Sequence, residues 1–150
     1  MPNFNGTFDG NGKTITITDL FAAGNMAGLF GQVGSEAVIK NLTVEGNISG
    51  DIYNDYGTFV ETYAGLLAAR MSGTVQNVTA RGQLTANAWS VGGLVGSLEN
   101  GGVIEDCVNR AAINVDQLPN SQTTSRTIGG IAGVCSNSTI TGCTLSLIHI

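Results

Sequence analysis

Short apolar segments in this chain alternate with polar residues at a period of two. The alternation is clearest in TITIT (14–18), IKNLTV (39–44), TVQNVTA (74–80) and STITGCT (138–144). Period-two alternation of β-branched residues is typical of strands, and glycines interrupt every segment long enough to form a helix. The pattern therefore predicts short β-strands separated by turns rich in Gly, Asn and Ser.

Four segments of the chain are similar to one another. They are AGLFGQVGSEAVIKNLTVEGNISG (27–50), AGLLAARMSGTVQNVTARGQLTA (64–86), GGLVGSLENGGVIEDCVNRAAINV (92–115) and GGIAGVCSNSTITGCTL (129–145). Aligned on Gly28, Gly65, Gly93 and Gly130, they are spaced 37, 28 and 37 residues apart. A β-rich unit of this length cannot bury its own apolar face, so such units stack as solenoid coils. Leucine-rich and ankyrin repeats recur at similar lengths, but the period-two pattern disfavours these helical alternatives.

Stacking predicts rows of equivalent residues, one from each coil, spaced about 4.8 Å apart. The expected rows are Leu42–Val78–Cys107–Cys143, Leu29–Leu66–Leu94–Ile131 and Val33–Leu98–Cys135 facing inward, Glu45–Arg81–Arg110 facing outward, and Asn41–Asn77–Asp106 at a bend. We expect Glu45 to pair with Arg81, and the Asn side chains to bond to the same position one coil away. The predicted fold is all-β: a β-solenoid, specifically a right-handed parallel β-helix of about four coils, with handedness taken from the crossover preference.

Composition and charge narrow the classes of function. Gly contributes 22 of 150 residues, yet 42% of the chain is hydrophobic, so the glycines belong to ordered structure rather than to a linker. The formal charge is −5, and the six basic residues are scattered along the chain. We therefore predict no nucleic-acid surface, and no membrane insertion within this segment because no run of 18 apolar residues occurs.

The segment FDGNGKTITI (8–17) resembles three different motifs. A phosphate loop requires a glycine five positions before Gly12, where Thr7 stands, and a helix after it. A calcium loop that began at Asp9 would require a glutamate at its twelfth position, where Leu20 stands. We therefore interpret DGNG as a turn that reverses the chain into the strand that follows, with glycines at positive φ.

The cysteines and the histidine predict no reactive site. Cys107, Cys135 and Cys143 are odd in number and lack close spacing, which disfavours a disulfide framework or a metal site. We interpret them as small buried apolar residues, although Cys107 and Cys143 could bridge if they stack. His149 lies in LSLIHI, which in one reading frame equals the translation of a transposon-end adapter used in sequencing-library preparation. We therefore expect residues 145–150 to be adapter-derived and no native histidine to activate a nucleophile.

No catalytic, cofactor-binding or metal-binding residue is predicted. Glu105 and Asp106 are sequence neighbours, so a strand would direct them to opposite faces. No cluster of two Asp residues and an Arg recurs at the coil spacing. The prediction is a non-enzymatic segment, and the alternative is a fragment of a β-helix enzyme that acts on polysaccharides.

Two connections between coils, residues 51–63 and 116–128, carry about nine residues more than the basic unit of about 28 residues needs. The first, DIYNDYGTFVETY (51–63), holds Tyr53, Tyr56, Phe59 and Tyr63. Insertions at one point of a solenoid project from one face, and exposed aromatic rings suit a sugar ring or a protein partner. These four residues are the candidate ligand or partner contacts; alternatively, they fold back and cover the flank of the solenoid.

The units GLFGQVGSEAVIKNLTVEGNISG and GGLVGSLENGGVIEDCVNRAAINV resemble GLUG-motif repeats. The lead-in FNGTFDGNGKTITI resembles the segment that commonly precedes the first such repeat, so the resemblance covers residues 4–144. The second unit departs from the pattern, since Leu67-Ala68 replaces an apolar residue followed by Gly, and the fourth unit is short. We expect a lead-in turn and first coil over 1–26, four repeats over 27–144, and the tail over 145–150.

The resemblance implies a repeat region of large bacterial surface proteins, including streptococcal IgA-peptidase-like and adhesin-like proteins. It implies a non-catalytic stalk or adhesion surface, without a cofactor, outside the cell or on its surface. The partners it implies are a glycan, a host or cell-surface protein, and neighbouring repeats of the same parent chain.

Overall fold

The structure, a computed structural model, describes residues 3–21, 25–50, 62–86, 88–115 and 127–146. All regular secondary structure in these residues is β, as predicted, and paired strands run parallel. In chain order the strands are β1 (Thr7–Phe21), β2 (Met26–Ala27), β3 (Phe30–Val33), β4 (Val38–Gly50), β5 (Tyr63–Gly65), β6 (Ala68–Met71), β7 (Thr74–Ala86), β8 (Ser90–Gly92), β9 (Val95–Leu98), β10 (Val103–Glu105), β11 (Val108–Asn109), β12 (Ala112–Asn114), β13 (Thr127–Gly129), β14 (Ala132–Cys135), β15 (Thr139–Thr141) and β16 (Thr144–Leu145).

The strands form three parallel sheets. Sheet I contains β2, β5, β8 and β13, and sheet II contains β3, β6, β9 and β14. The long sheet contains β1, β4, β7, β10 and β15, with β11, β12 and β16 beside them. After β1, the chain visits sheet I, sheet II and the long sheet four times in this order, and we number these passes repeats 1 to 4. Each strand pairs with the equivalent strand of the next repeat, which is consistent with the predicted β-solenoid.

Rows of apolar side chains, one from each repeat, fill the core. Two predicted rows are confirmed by the register of the pairs in and around them: Val33–Met71–Leu98–Cys135 in sheet II and Leu42–Val78–Cys107–Cys143 in the long sheet. The members from repeats 1 to 3 are at most 3% exposed. Each repeat therefore buries its apolar residues against its neighbours, as a unit too small for its own core must.

The predicted alignment of the glycines is wrong by one residue in repeats 3 and 4. Gly65 lies opposite Gly92, and Gly92 lies opposite Gly129, so Gly93 and Gly130 are not their equivalents. The sequence offers a Gly-Gly pair in both repeats, and the pattern alone does not say which glycine ends the strand.

The predicted Leu66–Leu94 pairing is wrong for a related reason. The amide of Leu67 donates to the carbonyl of Leu94 at 2.9 Å, so Leu67 is the residue level with Leu94. Repeat 1 has one residue fewer than repeat 2 at the bend between sheets I and II, because the offset between partners grows from 37 at Ala27 to 38 at Phe30. Both Leu66 and Leu67 are fully buried at this bend.

Sheets I and II pack closely against each other on either side of that bend. The hydroxyl of Ser90 donates to the carbonyl of Gly96 at 2.7 Å, and a methyl group added to Gly96 would lie 2.7 Å from the amide nitrogen of Ala64. In repeat 3 a side chain at Gly96 therefore has no room, whereas repeat 2 accommodates a methyl group at the equivalent position. In repeat 2 the residue in this position is Ala69, not Ala68 as the sequence alignment suggested.

The DGNG segment does not reverse the chain, contrary to the prediction. Residues 7–9 and 13–17 both pair in parallel with β4, and the residues between them bulge out beside Asn41. Asn11 and Gly12 have φ of 49° and 72°, so the predicted left-handed backbone is present. The bulge replaces a hairpin because β1 finds its partner in the next repeat rather than in the adjacent segment.

The predicted row of short polar residues at the bend of the long sheet is confirmed. Asn41, Asn77 and Asp106 have φ of 55°, 52° and 51°. The Asn77 Nδ2 donates to Asn41 Oδ1 at 3.0 Å, and the Asn41 Nδ2 donates to Asp9 Oδ1 at 3.1 Å. These two hydrogen bonds link the neighbouring strands β1, β4 and β7 at the bend.

The outward row Glu45–Arg81–Arg110 has the predicted register, but the predicted ion pair between Glu45 and Arg81 is not formed. Glu45 lies opposite Arg81, and both side chains are exposed. Within the described ranges, ion pairs form between Lys40 and Asp9 and between Arg70 and Glu99, not between Glu45 and Arg81. An exposed pair gains little from fixed geometry, so register alone does not bring the two charges together.

Candidate functional site

The two long connections each lead into the amino-terminal end of a strand of sheet I. The first precedes β5 and the second precedes β13, whose first residues, Tyr63 and Thr127, each lie opposite Ser90. The strands that follow the two insertions are thus aligned in sheet I, whereas the predicted projection of the insertions from one face stays a prediction. Tyr53, Tyr56 and Phe59 of the first connection lie outside the described residues, so their predicted contacts stay predictions.

Tyr63, the fourth candidate residue, is part of a packed cluster at the amino-terminal ends of the strands of sheet I. Its ring is 4% exposed and makes an edge-on contact with Trp89, with ring centroids 5.9 Å apart. The guanidinium of Arg70 lies over the Tyr63 ring, 5.1 Å from its centroid. The backbone amide of Trp89 donates to the hydroxyl of Thr62 at 2.8 Å, which attaches repeat 3 to repeat 2.

Arg70 and Glu99 extend the cluster towards sheet II. Arg70 donates from Nε to Glu99 Oε1 at 3.0 Å and from Nη2 to Oε2 at 2.8 Å, while Ser97 Oγ donates to Oε1 at 2.7 Å. The hydrogen bonds from Arg70 hold the pKa of Glu99 below its usual range, against the opposing effect of burial. The forked geometry fixes the guanidinium plane between two repeats.

Trp89, Arg70 and Glu99 were not among the candidates drawn from the sequence. Tyr63 and Arg70 lie three residues on either side of the Leu66-Leu67 bend, so a tight bend between packed strands brings them together. This spacing was a usable signal, but it requires knowing that sheets I and II face each other. Trp89 and Glu99 come from the next repeat, and only the stacking register reveals their proximity.

The three cysteines are free thiols, and they differ in how deeply they are buried. Cys107 is fully buried, Cys143 is half-buried and Cys135 is exposed, and none is bonded to another. Burial raises the pKa of Cys107 to about 12, so its thiolate is not formed near neutral pH. The interpretation as small buried residues is confirmed for Cys107 and is wrong for Cys135, which is exposed because it lies in the last described repeat.

The acidic residues are held apart. Glu105 accepts a hydrogen bond from Gln76 Nε2 at 2.9 Å, whereas Asp106 occupies the bend row described above. Among residues with described positions, no three His, Cys, Asp or Glu side chains come together where they could hold a metal ion. In the same part of the chain, no helix is long or apolar enough to cross a membrane.

Comparisons with known proteins match this repeat architecture. Residues 87–114 match the family model described as the GLUG motif, and this range includes strands β8 to β12 of repeat 3. The chain is 40% identical over 106 residues, 69% of its length, to Halomucin of Haloquadratum walsbyi. The chain spans about 1% of the length of that curated relative. No solved structure matches it.

The predicted GLUG-motif resemblance is thus confirmed for one repeat. The narrower expectation of a streptococcal IgA-peptidase-like or adhesin-like protein is not confirmed, since the matched relative is a very long protein from Haloquadratum walsbyi.

Proposed function

We propose that this chain is a non-catalytic repeat segment of a large cell-surface or secreted protein, built as a right-handed parallel β-helix of about four coils. In this role it serves as a stalk or as an adhesion surface. The observation that carries the proposal is the stacking itself: four successive repeats share three parallel sheets and continuous buried rows. Handedness follows from the strong preference of parallel crossovers.

The stacking suits a load-bearing spacer. Each repeat is held to the next by backbone hydrogen bonds along three sheets and by side-chain links such as Arg70–Glu99 and Asn77–Asn41. Stability in such arrays is a sum over neighbouring interfaces, so length can grow by adding repeats. The GLUG-motif match and the similarity to part of a very long mucin-named protein support this use and a location outside the cell.

Force spectroscopy tests the stalk role. The chain is placed between two marker domains of known unfolding force and extended in an atomic force microscope. A stalk gives resisted unfolding steps within the described repeats. Extension without a force peak, in molecules whose marker domains unfold normally, would remove the stalk role.

A separate observation favours adhesion. Both long connections join sheet I at the amino-terminal ends of its strands, next to Tyr63 and Trp89. The proposed ligand contacts are Tyr53, Tyr56 and Phe59, and the proposed partner is a glycan or a host or cell-surface protein. Tyr63, the fourth candidate, is 4% exposed, and its proposed role is to anchor the end of the connection that carries the other three. A glycan and cell-surface protein array tests this with a Tyr53→Ala/Tyr56→Ala double variant. If that variant binds as the parent chain does, this connection does not form the binding site. If the parent chain binds nothing on the array, the stalk role is the one that remains.

The polysaccharide-enzyme alternative has no support from the described side chains, since no carboxylate pair and arginine converge on one face. Incubation with a panel of acidic and neutral polysaccharides, followed by an assay of new reducing ends and unsaturated products, tests this directly. We expect no product above that of a heat-denatured sample.

A further inference from the structure

Cys107 and Cys143 occupy equivalent positions in adjacent repeats. Val108 of repeat 3 lies opposite Thr144 of repeat 4, so the residues just before them, Cys107 and Cys143, are level with each other. The amide of Thr144 donates to the carbonyl of Cys107 at 2.9 Å, which holds the two backbones together at this position. Both cysteines belong to the inward row of the long sheet, so their side chains leave the sheet on the same face.

The two sulfur atoms lie over one segment of β10. Cys107 Sγ is 3.1 Å from the carbonyl oxygen of Glu105, and Cys143 Sγ reaches across to repeat 3, where it is 3.8 Å from the carbonyl oxygen of Ile104. Neighbouring parallel strands lie about 4.8 Å apart, and a disulfide joins residues whose Cα atoms are about 4.4–6.8 Å apart. The spacing of the two strands therefore lies within the range that a disulfide spans.

Cys135, the third cysteine of the chain, does not belong to this pair. It lies in sheet II opposite Leu98, in a row whose other described members are Val33 and Met71. Stacking therefore brings Cys143, and not Cys135, level with Cys107. Cys135 serves as an internal control for any reaction of the pair.

We propose that Cys107 and Cys143 form a disulfide in oxidising surroundings, and that this bond joins repeat 3 to repeat 4 inside the core of the stack. The structure shows the reduced form of the pair. The proposal rests on the proposed function only for the oxidising surroundings, because disulfides form and persist outside the cell. The alignment of the two residues is independent of that function.

The reaction needs an oxidant, and a small-molecule disulfide such as oxidised glutathione supplies it. The thiolate of one cysteine attacks a sulfur of the oxidised glutathione, whose S–S bond breaks and releases one glutathione. The second cysteine thiolate attacks the protein sulfur of the mixed disulfide, which forms the Cys107–Cys143 bond and releases the second glutathione. Two electrons pass from the protein to glutathione, and the two thiol protons end on the released thiols.

The bond forms while the chain folds. In the folded chain Cys107 is fully buried, and that burial is the main reason why its pKa is raised to about 12. Its thiolate is therefore scarce near neutral pH, and exchange at this sulfur is slow. A reagent added to the folded, reduced chain reaches exposed Cys135 first, whereas a redox buffer that is present during refolding reaches both partners.

Refolding of the full 150-residue chain in a glutathione redox buffer tests the proposal. After alkylation of free thiols, mass spectrometry should find a main species that carries one alkyl group and has lost two hydrogen atoms, with the circular dichroism spectrum of the reduced, folded chain. Its midpoint of urea unfolding should exceed that of the reduced chain, because a cross-link restricts the unfolded state. A folded chain that keeps three free thiols, or that carries only mixed disulfides with glutathione, overturns the proposal.

Matched variants locate the bond. Cys135→Ser should still form the disulfide, whereas Cys143→Ser should form no intramolecular disulfide. Cys143→Ala repeats the test if Cys143→Ser changes the circular dichroism spectrum. A folded Cys135→Ser chain that does not bridge, or a folded Cys143 variant that does, overturns the assignment of the pair.

The bond also has a mechanical signature that separates it from the stalk role. A disulfide between Cys107 and Cys143 closes a loop of 36 residues that cannot extend until the bond is reduced. In the force experiment described above, the fully extended chain should be shorter by roughly 12 nm under oxidising conditions than with a reductant. Equal lengths overturn the disulfide at any unfolding force. A length difference without a force peak supports the disulfide and removes only the stalk role.

Discussion

Replacing Gly82 with alanine tests how closely adjacent repeats approach in the long sheet. Gly82 lies in β7 opposite Gly46 of β4, with φ of 102°. A methyl group at Gly82 would overlap the carbonyl oxygen of Gly46 and lie 2.9 Å from its amide nitrogen. These are backbone atoms within a paired strand, so they cannot move aside as the end of a flexible side chain could.

Two contributions set the expected loss of stability. A residue with a Cβ in left-handed backbone costs about 1–2 kcal/mol. Forcing extra atoms into a packed region costs about 1–3 kcal/mol more. We therefore expect Gly82→Ala to lower the free energy of unfolding by roughly 2–5 kcal/mol, a large part of the 5–15 kcal/mol typical of a domain.

Gly101→Ala is the matched control. Gly101 also has positive φ, 87°, but a methyl group there would meet no atom within 4 Å. It should lose only the backbone contribution, about 1–2 kcal/mol. Urea unfolding followed by far-ultraviolet circular dichroism measures both losses, with the native spectra compared first.

The reasoning is refuted if the two variants lose the same free energy. Equal losses would mean that Gly82 is required only for its φ, and that the repeats are not in close backbone contact at this position. A Gly82→Ala loss well above that of Gly101→Ala confirms the close approach.

Three further predictions follow from burial and from the pKa shifts. Ile104→Ala should lower the free energy of unfolding by about 2–5 kcal/mol, whereas Ile140→Ala in the same row but 36% exposed should cost much less in urea unfolding; equal costs would contradict the row assignment. Because the pKa of Glu99 is lowered in the folded state, its stabilising contribution is present above about pH 4.5 and is lost as the pH falls. The stability difference between the parent and Glu99→Gln, measured by urea unfolding at pH 7 and pH 3, should shrink at pH 3, and a constant difference would count against the ion pair. A disulfide reagent at pH 8 should modify exposed Cys135 quickly and buried Cys107 only on unfolding, and rapid modification of all three thiols would contradict the core assignment.

The repeat architecture could be predicted because local patterns report directly on stacking. Period-two alternation indicated strands, the 28- and 37-residue spacings indicated stacked units, and the Asn41 and Asn77 positions indicated a left-handed bend. The structure confirms the strands, the stacking and the bend, but repeats 2 and 3 are offset by 27 residues in sheets I and II and by 29 in the long sheet. Each depends on a residue and its neighbours in sequence, or on the same position one repeat away.

The candidate site could be predicted only in part. The aromatic residues of the first connection include Tyr63, the first residue of β5, which lies in the described cluster, whereas Tyr53, Tyr56 and Phe59 lie outside the described residues. Its contacts with Arg70 and Trp89 depend on a bend between two packed sheets and on the next repeat. The spacing of Tyr63 and Arg70 about the bend identifies their contact only once the packing of sheets I and II is known, and the position of Trp89 depends on the register of the next repeat.

The sequence by itself determined the strands, the approximate repeat length and two of the buried rows, because side-chain periodicity and glycine placement act over short distances. Only the tertiary structure decided which glycine of each Gly-Gly pair ends a strand and that DGNG is a bulge rather than a turn. These depend on the register between strands about 30 residues apart, and parallel register is set by packing across all three sheets together.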